Sequence, residues 1–168
     1  MRGDHISRVI FDYASRISSA RETGATLQLN ADMARDLVAA DRCSIWLIDR
    51  RTNELWTRVA HGVDEIRIPL GHGLVGAAIA ANDTILVNDA LNDPRVLQNI
   101  GGYQTRSLLV IPLRSSDGAA IGALQALNKP GGFSAEDVDL LALAANYSAS
   151  AIENQRLRSE AESARLMM

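Results

Sequence analysis

The residues best suited to catalysis are few in this chain and lie far apart in its sequence. The one cysteine, Cys43, and the three histidines, His5, His61 and His72, occur in unrelated segments without the spacing of a metal site. The motifs of a Ser-His-Asp hydrolase and of a Gly-Lys-Ser/Thr phosphate-binding loop are missing from the sequence. A single cysteine also provides no intramolecular disulfide for redox chemistry. The sequence therefore indicates a protein that is not an enzyme and that uses no metal or cofactor.

A second set of polar residues surrounds a predicted turn late in the chain. The stretch LNKPGGFSAED, residues 127–137, is typical of a strand end, a tight turn and a helix start. Ser134 and Asp137 have the spacing of a capping box, and a carboxylate is favoured near the positive end of a helix. A turn needs only the glycines and the proline, so the side chains of Lys129 and Phe133 require another explanation.

The composition is that of an ordinary chain with one buried core. It has 168 residues, of which 47% are hydrophobic and 22% are charged, enough for one domain. The formal net charge of −3 is mixed, without the basic patch of a protein that binds nucleic acid or an anionic membrane. The first residues lack the apolar core of a signal peptide, and no apolar run approaches membrane-spanning length. We therefore expect a cytoplasmic protein with neither a nucleic-acid nor a membrane partner.

Hydrophobic periodicity predicts helices at both ends of the chain and six strands between them. Helical spacing of apolar residues occurs at about 5–20, 25–39 and 74–81, and a capped helix follows Ser134 to about Arg165. A short helix is predicted at 92–100, with Asp93 as its N-cap and Pro94 at its first position. The predicted strands are 42–49, 54–60, 65–69, 84–87, 106–113 and 119–128. Because neighbouring strands are joined by hairpins, we expect an α+β fold with a mostly antiparallel sheet and helices on both sides.

The predicted last helix is apolar on all sides between Val138 and Ile152. A helix of this kind must be buried all round. One face can cover the sheet, and the other needs either the same helix of a second subunit or the first helix of its own chain. We favour the first arrangement and expect a parallel homodimer. The final residues, RLRSEAESARLMM, keep a helical character, which suggests either a fragment of a longer protein or a free dimer stalk.

Five segments of the chain occur in the order found in one known family. They are RCSIWLID, IRIPLGHGLVGAAIAAND, DALNDPRV, TRSLLVIPL and GALQALNK with a following Phe and Asp. Together they resemble a GAF domain, and most closely the GAF domains of cyclic-nucleotide phosphodiesterases and related signalling proteins. The resemblance implies a GAF-like fold at 23–155, with an N-terminal dimer or signalling helix at 1–22 and a helical extension at 156–168.

The resemblance also offers an explanation for the turn at 127–137. The phosphodiesterase-type signature is Asn-Lys, a spacer, Phe, three residues and Asp-Glu. Asn128, Lys129, Phe133 and Asp137 fit this signature, whereas Val138 replaces the final Glu. It implies that Lys129 and Asp137 form an ion pair that ties the last strand to the last helix, with Phe133 packed into the turn. An exposed pair would contribute less than about 1 kcal/mol, so we interpret the motif as mainly structural.

The resemblance further implies a ligand pocket between the sheet and the segments after Gly73 and Asp93. The implied ligand-binding residues are Ser44, Ala60, His61, Leu74, Val75, Tyr103, Thr105 and Gln125. Backbone N–H groups at Leu74 and Val75 would meet a phosphate or another anion. Tyr103 would stack on a base, and the hydroxyl and amide side chains would bind its polar edge.

Each of these residues also has a simpler interpretation. Ser44 and Thr105 would serve equally as ordinary strand residues, Tyr103 as a core aromatic and His61 as a turn residue. Two departures separate the chain from cyclic-nucleotide binders: the segment at 96–103 is shorter, and Ala60 replaces a bulky side chain. Cys43 lies on the first strand rather than where some relatives attach a bilin, so we expect it to be a small core residue.

These observations lead to two functional hypotheses. The first is a non-catalytic sensory domain that binds a small molecule, with cGMP or cAMP as candidates. It would relay occupancy through its terminal helices to an output domain in cis or in trans. The alternative is a dimerisation module whose pocket is filled by its own side chains.

Overall fold

The computed structural model describes residues 2–58, 65–96, 98 and 102–168. Its α-helices are α1 (Arg2–Ser19), α2 (Thr23–Val38), α3 (Gly73–Ala81) and α4 (Ala135–Leu166). Its strands are β1 (Arg42–Asp49), β2 (Glu54–Arg58), β3 (Glu65–Pro69), β4 (Ile85–Val87), β5 (Leu108–Arg114) and β6 (Ala120–Leu127). A short 3-10 helix spans Ala90–Asn92. Within the described residues, no helix is long and apolar enough to cross a membrane.

The six strands form one antiparallel sheet in the order β3-β2-β1-β6-β5-β4. The two central strands pair from Arg42 opposite Leu127 to Leu47 opposite Gly122. Gly122 permits a close approach there, because a Cβ atom at this position would lie 2.1 Å from the Trp46 carbonyl oxygen. The predicted α+β fold with a mostly antiparallel six-stranded sheet is therefore confirmed.

Helices cover both faces of the sheet. On one face α1, α2 and α4 enclose a core that includes Leu109 and Leu124, and on the other face α3 packs over Leu108 and Val110. Successive side chains of a strand point to opposite faces, so β5 contributes to both cores. This explains why six of its seven residues, all except Arg114, are buried.

The predicted short helix at 92–100 is wrong at its start. The 3-10 helix at Ala90–Asn92 precedes that position, and Asp93 follows its end. The Asp93 carboxylate accepts a hydrogen bond from the Arg95 backbone N–H at 2.9 Å and another from the Arg95 guanidinium at 2.6 Å. Such short-range side-chain bonds favour a turn over a helix. Residues 97, 99 and 100 of this prediction lie outside the described residues.

Helix α2 covers the flank of α4 that the sequence analysis assigned to a second subunit or to α1. The hydroxyl of Ser148 on α4 donates to the Asn30 amide oxygen on α2 at 2.9 Å, and both residues are buried. Helix α1 in turn is tied to α2, where the Tyr13 hydroxyl donates to Asp36 at 2.6 Å. Leu143 of α4 nevertheless stays 46% exposed. The homodimer remains a prediction that the burial of this segment does not require.

Candidate ligand-binding site

A cavity of about 270 Å³ lies between the sheet and the beginning of α3. Apolar side chains make up most of its wall: Trp46, Ile66, Ile68, Leu74, Val75, Val96, Leu108 and Leu127. The polar residues along it are His72, Arg95, Thr105 and Gln125. A mostly apolar wall with a few polar groups is the usual composition of a small-molecule site.

The sheet side of the cavity follows from the pairing of the central strands. Gln125 of β6 lies opposite Ser44 of β1 and opposite Val110 of β5. Paired residues of antiparallel strands project to the same face, and so do residues two apart on one strand. Ser44, Trp46 and Gln125 therefore share the face below α3. Trp46 and Gln125 line the cavity, whereas Ser44 is on the same face without lining it.

The opposite side is formed by the first turn of α3. His72 is the N-cap residue, but its side chain makes no capping hydrogen bond, and the first bond of the helix runs from the Gly76 N–H to the His72 carbonyl. The N–H groups of Leu74 and Val75 precede that bond and have no partner within the helix. Both residues are buried and line the cavity. These donors are available to an anionic or carbonyl group.

Trp46 carries a further unused donor. Its indole Nε1 is buried, and no described residue accepts its hydrogen. A buried donor without a partner is unfavourable by roughly 1–3 kcal/mol. The sequence analysis did not assign Trp46 to the binding residues. The sequence feature that could have identified Trp46 is its position two residues after Ser44, which places both side chains on one face of β1.

Thr105 is held in the wall by Gln98. The Gln98 amide donates to the Thr105 carbonyl at 2.7 Å and accepts from the Thr105 N–H at 2.9 Å. It therefore forms the two backbone hydrogen bonds that a residue of a neighbouring strand would form. The same amide nitrogen lies 3.3 Å from the Ala90 carbonyl. Nothing in the sequence around Gln98 indicated this role.

Tyr103 lies outside the cavity wall. Its hydroxyl donates to the Asp41 carboxylate at 2.6 Å and accepts from the Asn128 amide at 3.0 Å, and the Arg42 guanidinium lies 3.7 Å from the ring centre. Burial and the bond to Asp41 raise the pKa of Tyr103 to about 12. This position does not support the base-stacking role expected from the sequence. Ala60 and His61, also predicted to bind ligand, lie outside the described residues.

The corner between β6 and α4, residues 128–137, contains a largely buried ion pair. The Lys129 ammonium lies 2.5 Å from the Asp137 carboxylate, whose side chain is only 2% exposed, against 23% for Lys129. Burial alone would raise the pKa of Asp137, but hydrogen bonds from Lys129 and Ser134 outweigh it and hold that pKa below its ordinary value. Phe133 is buried beside the pair. The pair is therefore not the exposed one that was expected from the sequence.

Asn128 joins this corner to the segment that leads into β5. It adopts a positive φ of 59°. Its amide oxygen accepts from the N–H groups of Arg106 and Ser107 at 2.7 and 3.1 Å, and its nitrogen donates to the Gln104 carbonyl at 2.8 Å. Asn128 therefore connects the corner to the segment before β5, in addition to forming part of the turn.

Cys43 is partly buried on β1, and desolvation of its thiol raises its pKa well above the ordinary value. A thiol that stays protonated is a weak nucleophile. The described residues also contain no group of three or more His, Cys, Asp and Glu side chains arranged to hold a metal ion.

Comparison with known sequences places the chain in a large group of signalling proteins. The family model of the GAF domain matches residues 22–152. A dual 3',5'-cyclic-AMP and -GMP phosphodiesterase 11A of Takifugu rubripes is 31% identical over 141 residues, covering 72% of this chain and 16% of that protein. A probable 3',5'-cyclic phosphodiesterase pde-5 of Caenorhabditis elegans is 26% identical over 144 residues, covering 75% and 20%. The chain thus spans a fifth or less of these relatives.

Solved structures agree with this result. A GAF domain from a phosphoenolpyruvate-protein phosphotransferase of Coxiella burnetii superposes with a TM-score of 0.77 at 20% identity, covering 93% of this chain and 97% of that one. A free methionine-R-sulfoxide reductase of Neisseria meningitidis gives a TM-score of 0.74 at 25% identity, with 91% of each chain covered. The fold is therefore shared by regulatory domains and by at least one enzyme.

Proposed function

The chain belongs to the GAF domain family, and on that basis we propose that it is a sensory domain that binds a small molecule in the cavity below α3. It relays occupancy through α1 and α4 of a homodimer. The observation that carries this proposal is the cavity itself: side chains of the described residues leave about 270 Å³ unfilled between the sheet and the first turn of α3. A dimerisation module with a self-filled pocket would not be expected to keep this space.

The polar groups around the cavity indicate a ligand with hydrogen-bond acceptors. Among the described residues the Trp46 indole has no acceptor, and the backbone N–H groups of Leu74 and Val75 have no partner within α3. Gln125 and Thr105 supply groups that can donate or accept. Described carboxylates are absent from the wall, so an anionic or neutral ligand is favoured over a cation.

A cyclic purine nucleotide is the first candidate for this ligand, because the phosphodiesterase relatives act on such nucleotides. Its phosphate would lie at the first turn of α3 and its base against Trp46 and Gln125. The present volume is below the roughly 300–1,000 Å³ of most ligand pockets, so a whole nucleotide requires the cavity to widen. Smaller compounds such as amino acids fit it without that change.

A short covalent path leads from the cavity to α4. Gln125 lines the cavity, and only three residues later Asn128 begins the corner in which Lys129 holds the first turn of α4 through Asp137. A ligand that shifts β6 therefore acts on the origin of the helix. We expect the signal to pass to an output domain in cis or in trans, and we expect the protein to work in the cytoplasm.

We also infer that the domain is not an enzyme, unlike the sulfoxide reductase with the same fold. The chain has one cysteine, and the thiol of Cys43, whose pKa is raised, has no second thiol in the chain with which to form a disulfide. Reduction of free methionine-R-sulfoxide by the purified protein would contradict this inference.

Thermal unfolding with a panel of compounds tests ligand binding. The panel contains cGMP, cAMP, cyclic dinucleotides and amino acids. At 100 times its dissociation constant, a ligand adds about 2.7 kcal/mol to the free energy of unfolding and raises Tm by several degrees. If no compound raises Tm, the dimerisation module becomes the better account.

Two variants locate the binding of any active compound. Gln125→Ala should reduce the rise in Tm, because the amide lines the cavity. Gln104→Ala is the matched control, since this glutamine is exposed and does not line the cavity. An equal loss in both variants would place the ligand elsewhere.

A further inference from the structure

Arg95 lines the cavity below α3, but its ion-pair partner lies outside the cavity wall. Among the described residues of the wall, it is the one whose side chain is charged throughout the neutral pH range. Its Nε donates to both carboxylate oxygens of Asp93, at 3.0 and 3.2 Å, and a terminal nitrogen donates to one of them at 2.6 Å. Asp93 itself does not line the cavity. The protein therefore supplies its own carboxylate to the positive charge of the wall.

The ion pair between Arg95 and Asp93 can open at little cost. The Arg95 side chain is 59% exposed, and exposed ion pairs contribute little to stability. Two other bonds hold the turn: the Val96 N–H donates to the Asp93 carbonyl at 3.1 Å, and the Arg95 N–H donates to the Asp93 carboxylate at 2.9 Å. Neither bond involves the guanidinium. Arg95 can therefore change its partner by rotating its side chain, while the backbone of the turn keeps its conformation.

The other polar groups of the cavity favour a negatively charged ligand as well. The Trp46 indole N–H is buried without a described acceptor, and the N–H groups of Leu74 and Val75 have no partner within α3. The described residues of the wall include no carboxylate side chain. Most of the remaining wall is apolar. A negative group on an apolar body fits both features, because the donors can bond to the charge while the apolar residues cover the body.

The partner of Arg95 in the ligand-free protein indicates which anionic groups it can take. A guanidinium presents parallel N–H donors whose geometry matches two oxygens of a carboxylate or a phosphate. A ligand inside the cavity would use the same donors that Asp93 uses now. Fewer water molecules compete there, so the attraction between opposite charges is stronger than at the surface. The volume of about 270 Å³ limits the rest of the ligand to a small body such as an aromatic ring.

We propose that Arg95 recognises the ligand by its negative charge, and that Asp93 holds the guanidinium until the ligand takes its place. The ligand is then a small organic anion, with a carboxylate or a phosphate on an apolar body. After the exchange, Asp93 keeps its bond from the Arg95 N–H. Because Asp93 competes with the ligand, it weakens the binding of every anion and selects those that bind strongly enough to replace it. This inference rests on the ligand-binding cavity proposed above and specifies the residue that selects the ligand.

Matched pairs of compounds test the requirement for charge. Benzoate and benzamide have nearly the same shape, as have phenylacetate and phenylacetamide, but only the acids are negatively charged at neutral pH. Isothermal titration calorimetry should show that at least one acid binds about tenfold more tightly than its amide, because hydrogen bonds between charged groups are the stronger ones. Arg95→Gln should abolish this preference and leave the affinity for the amide unchanged. If cAMP or cGMP is the anion that binds, Arg95→Gln should weaken it to the same extent.

Asp93→Asn tests the competition within the protein. Asparagine keeps an oxygen for the Arg95 N–H but lacks the charge that holds the guanidinium. The affinity for the acid should rise about threefold, as expected when an exposed ion pair no longer competes, and the affinity for the amide should not change. In an Arg95→Gln background, Asp93→Asn should have no effect, so the two changes are coupled. Equal changes for acid and amide would contradict the competition and assign the turn a structural role.

Arg106→Gln is the matched control for the loss of one positive charge. Arg106 is exposed and follows Thr105 of the wall, but it does not itself line the cavity. Its replacement should leave every affinity unchanged. Arg95→Lys keeps the charge without the parallel donors, so it should restore part of the preference for acids. Each ligand-free variant should unfold within a few degrees of the wild type, because both arginines are exposed.

The outcomes separate this inference from the proposed ligand site. If an anion binds, and Arg95→Gln weakens it no more than Arg106→Gln does, the inference is wrong while the cavity remains a binding site. If only the neutral amides bind, the inference is again wrong and the site remains. If none of the compounds gives a heat of binding or raises Tm, both the inference and the proposed ligand site fail.

Discussion

The corner between β6 and α4 and the cavity below α3 satisfy their polar groups in opposite ways. In the corner, Lys129, Asp137 and Ser134 bond to one another, and Asn128 uses both ends of its amide. In the cavity, the Trp46 indole has no described acceptor and the first turn of α3 has no side-chain cap. The polar side chains of the corner thus have hydrogen-bond partners within the protein, whereas the cavity has donors that a ligand can use. This difference supports the proposal that the corner holds the fold and that the cavity receives a ligand.

The largest expected effect tests whether the corner holds the fold. Asp137→Ala removes a buried carboxylate. Lys129 and the N-terminus of α4 then lose the negative charge that stabilises them. Breaking a largely buried pair in this way should lower the free energy of unfolding by about 3 kcal/mol. Asp139→Ala, on an exposed side chain two residues later in the same helix, is the control for chemical denaturation. If both variants lose the same unfolding free energy, the Lys129–Asp137 pair contributes no more to stability than a surface charge does.

The pH dependence of that effect follows from the lowered pKa of Asp137. A carboxyl group with a pKa lower in the folded than in the unfolded protein stabilises the fold above its unfolded value of 3.8. That contribution is lost as pH falls through the folded pKa. The difference in unfolding free energy between wild type and Asp137→Ala should therefore stay constant from pH 7 to about 5 and shrink below pH 4. A constant difference down to pH 2 would contradict the role of the ion pair.

A smaller effect is expected at Tyr103, which joins the corner rather than the cavity. Tyr103→Phe removes the hydroxyl that bonds to Asp41 and Asn128, and it should lower the free energy of unfolding by about 1–2 kcal/mol. The rise in Tm produced by an active ligand should not change. If Tyr103→Phe abolishes that rise, the residue belongs to the binding site after all.

The smallest effect on stability is expected at Trp46. Trp46→Phe removes a buried donor that has no described partner, so the ligand-free domain should change by less than about 1 kcal/mol. Ligand binding should weaken by about tenfold if the indole donates to the ligand, as isothermal titration calorimetry would show. A tenfold loss of ligand affinity in the variant, with an unchanged free energy of unfolding in the absence of ligand, would support a binding role for the cavity that is separate from the structural role of the corner.

Much of the fold could be predicted because local patterns determine it. The bounds of β1 and β3 agree with their apolar and β-branched runs, and the capping box at Ser134 fixed the start of α4. The contact between α2 and α4 could not be predicted in this way. Periodicity shows that a face is buried without showing which element buries it, and Asn30 gave no sign that it meets Ser148 in the core.

The cavity was predicted only in part, for a related reason. Four residues predicted to bind ligand, Leu74, Val75, Thr105 and Gln125, line it. The start of α3 and the alternation of β6 fix the first two and the last, whereas Thr105 precedes β5 and is held by Gln98. Tyr103 lies outside the regular helices and strands, where its bond to the distant Asp41 decides its position. Such bonds leave no trace in local spacing.

The length of α4 has a mechanical consequence. Its 32 residues extend about 48 Å at a rise of 1.5 Å per residue, and from Arg156 onward every side chain is exposed. The first 21 residues of the helix, 135–155, thus lie along the domain, and its last 11, 156–166, project from it. A tilt of about 5° at the corner would move the far end by about 4 Å. A displacement too small to disturb the core would become a movement that a neighbouring molecule can detect.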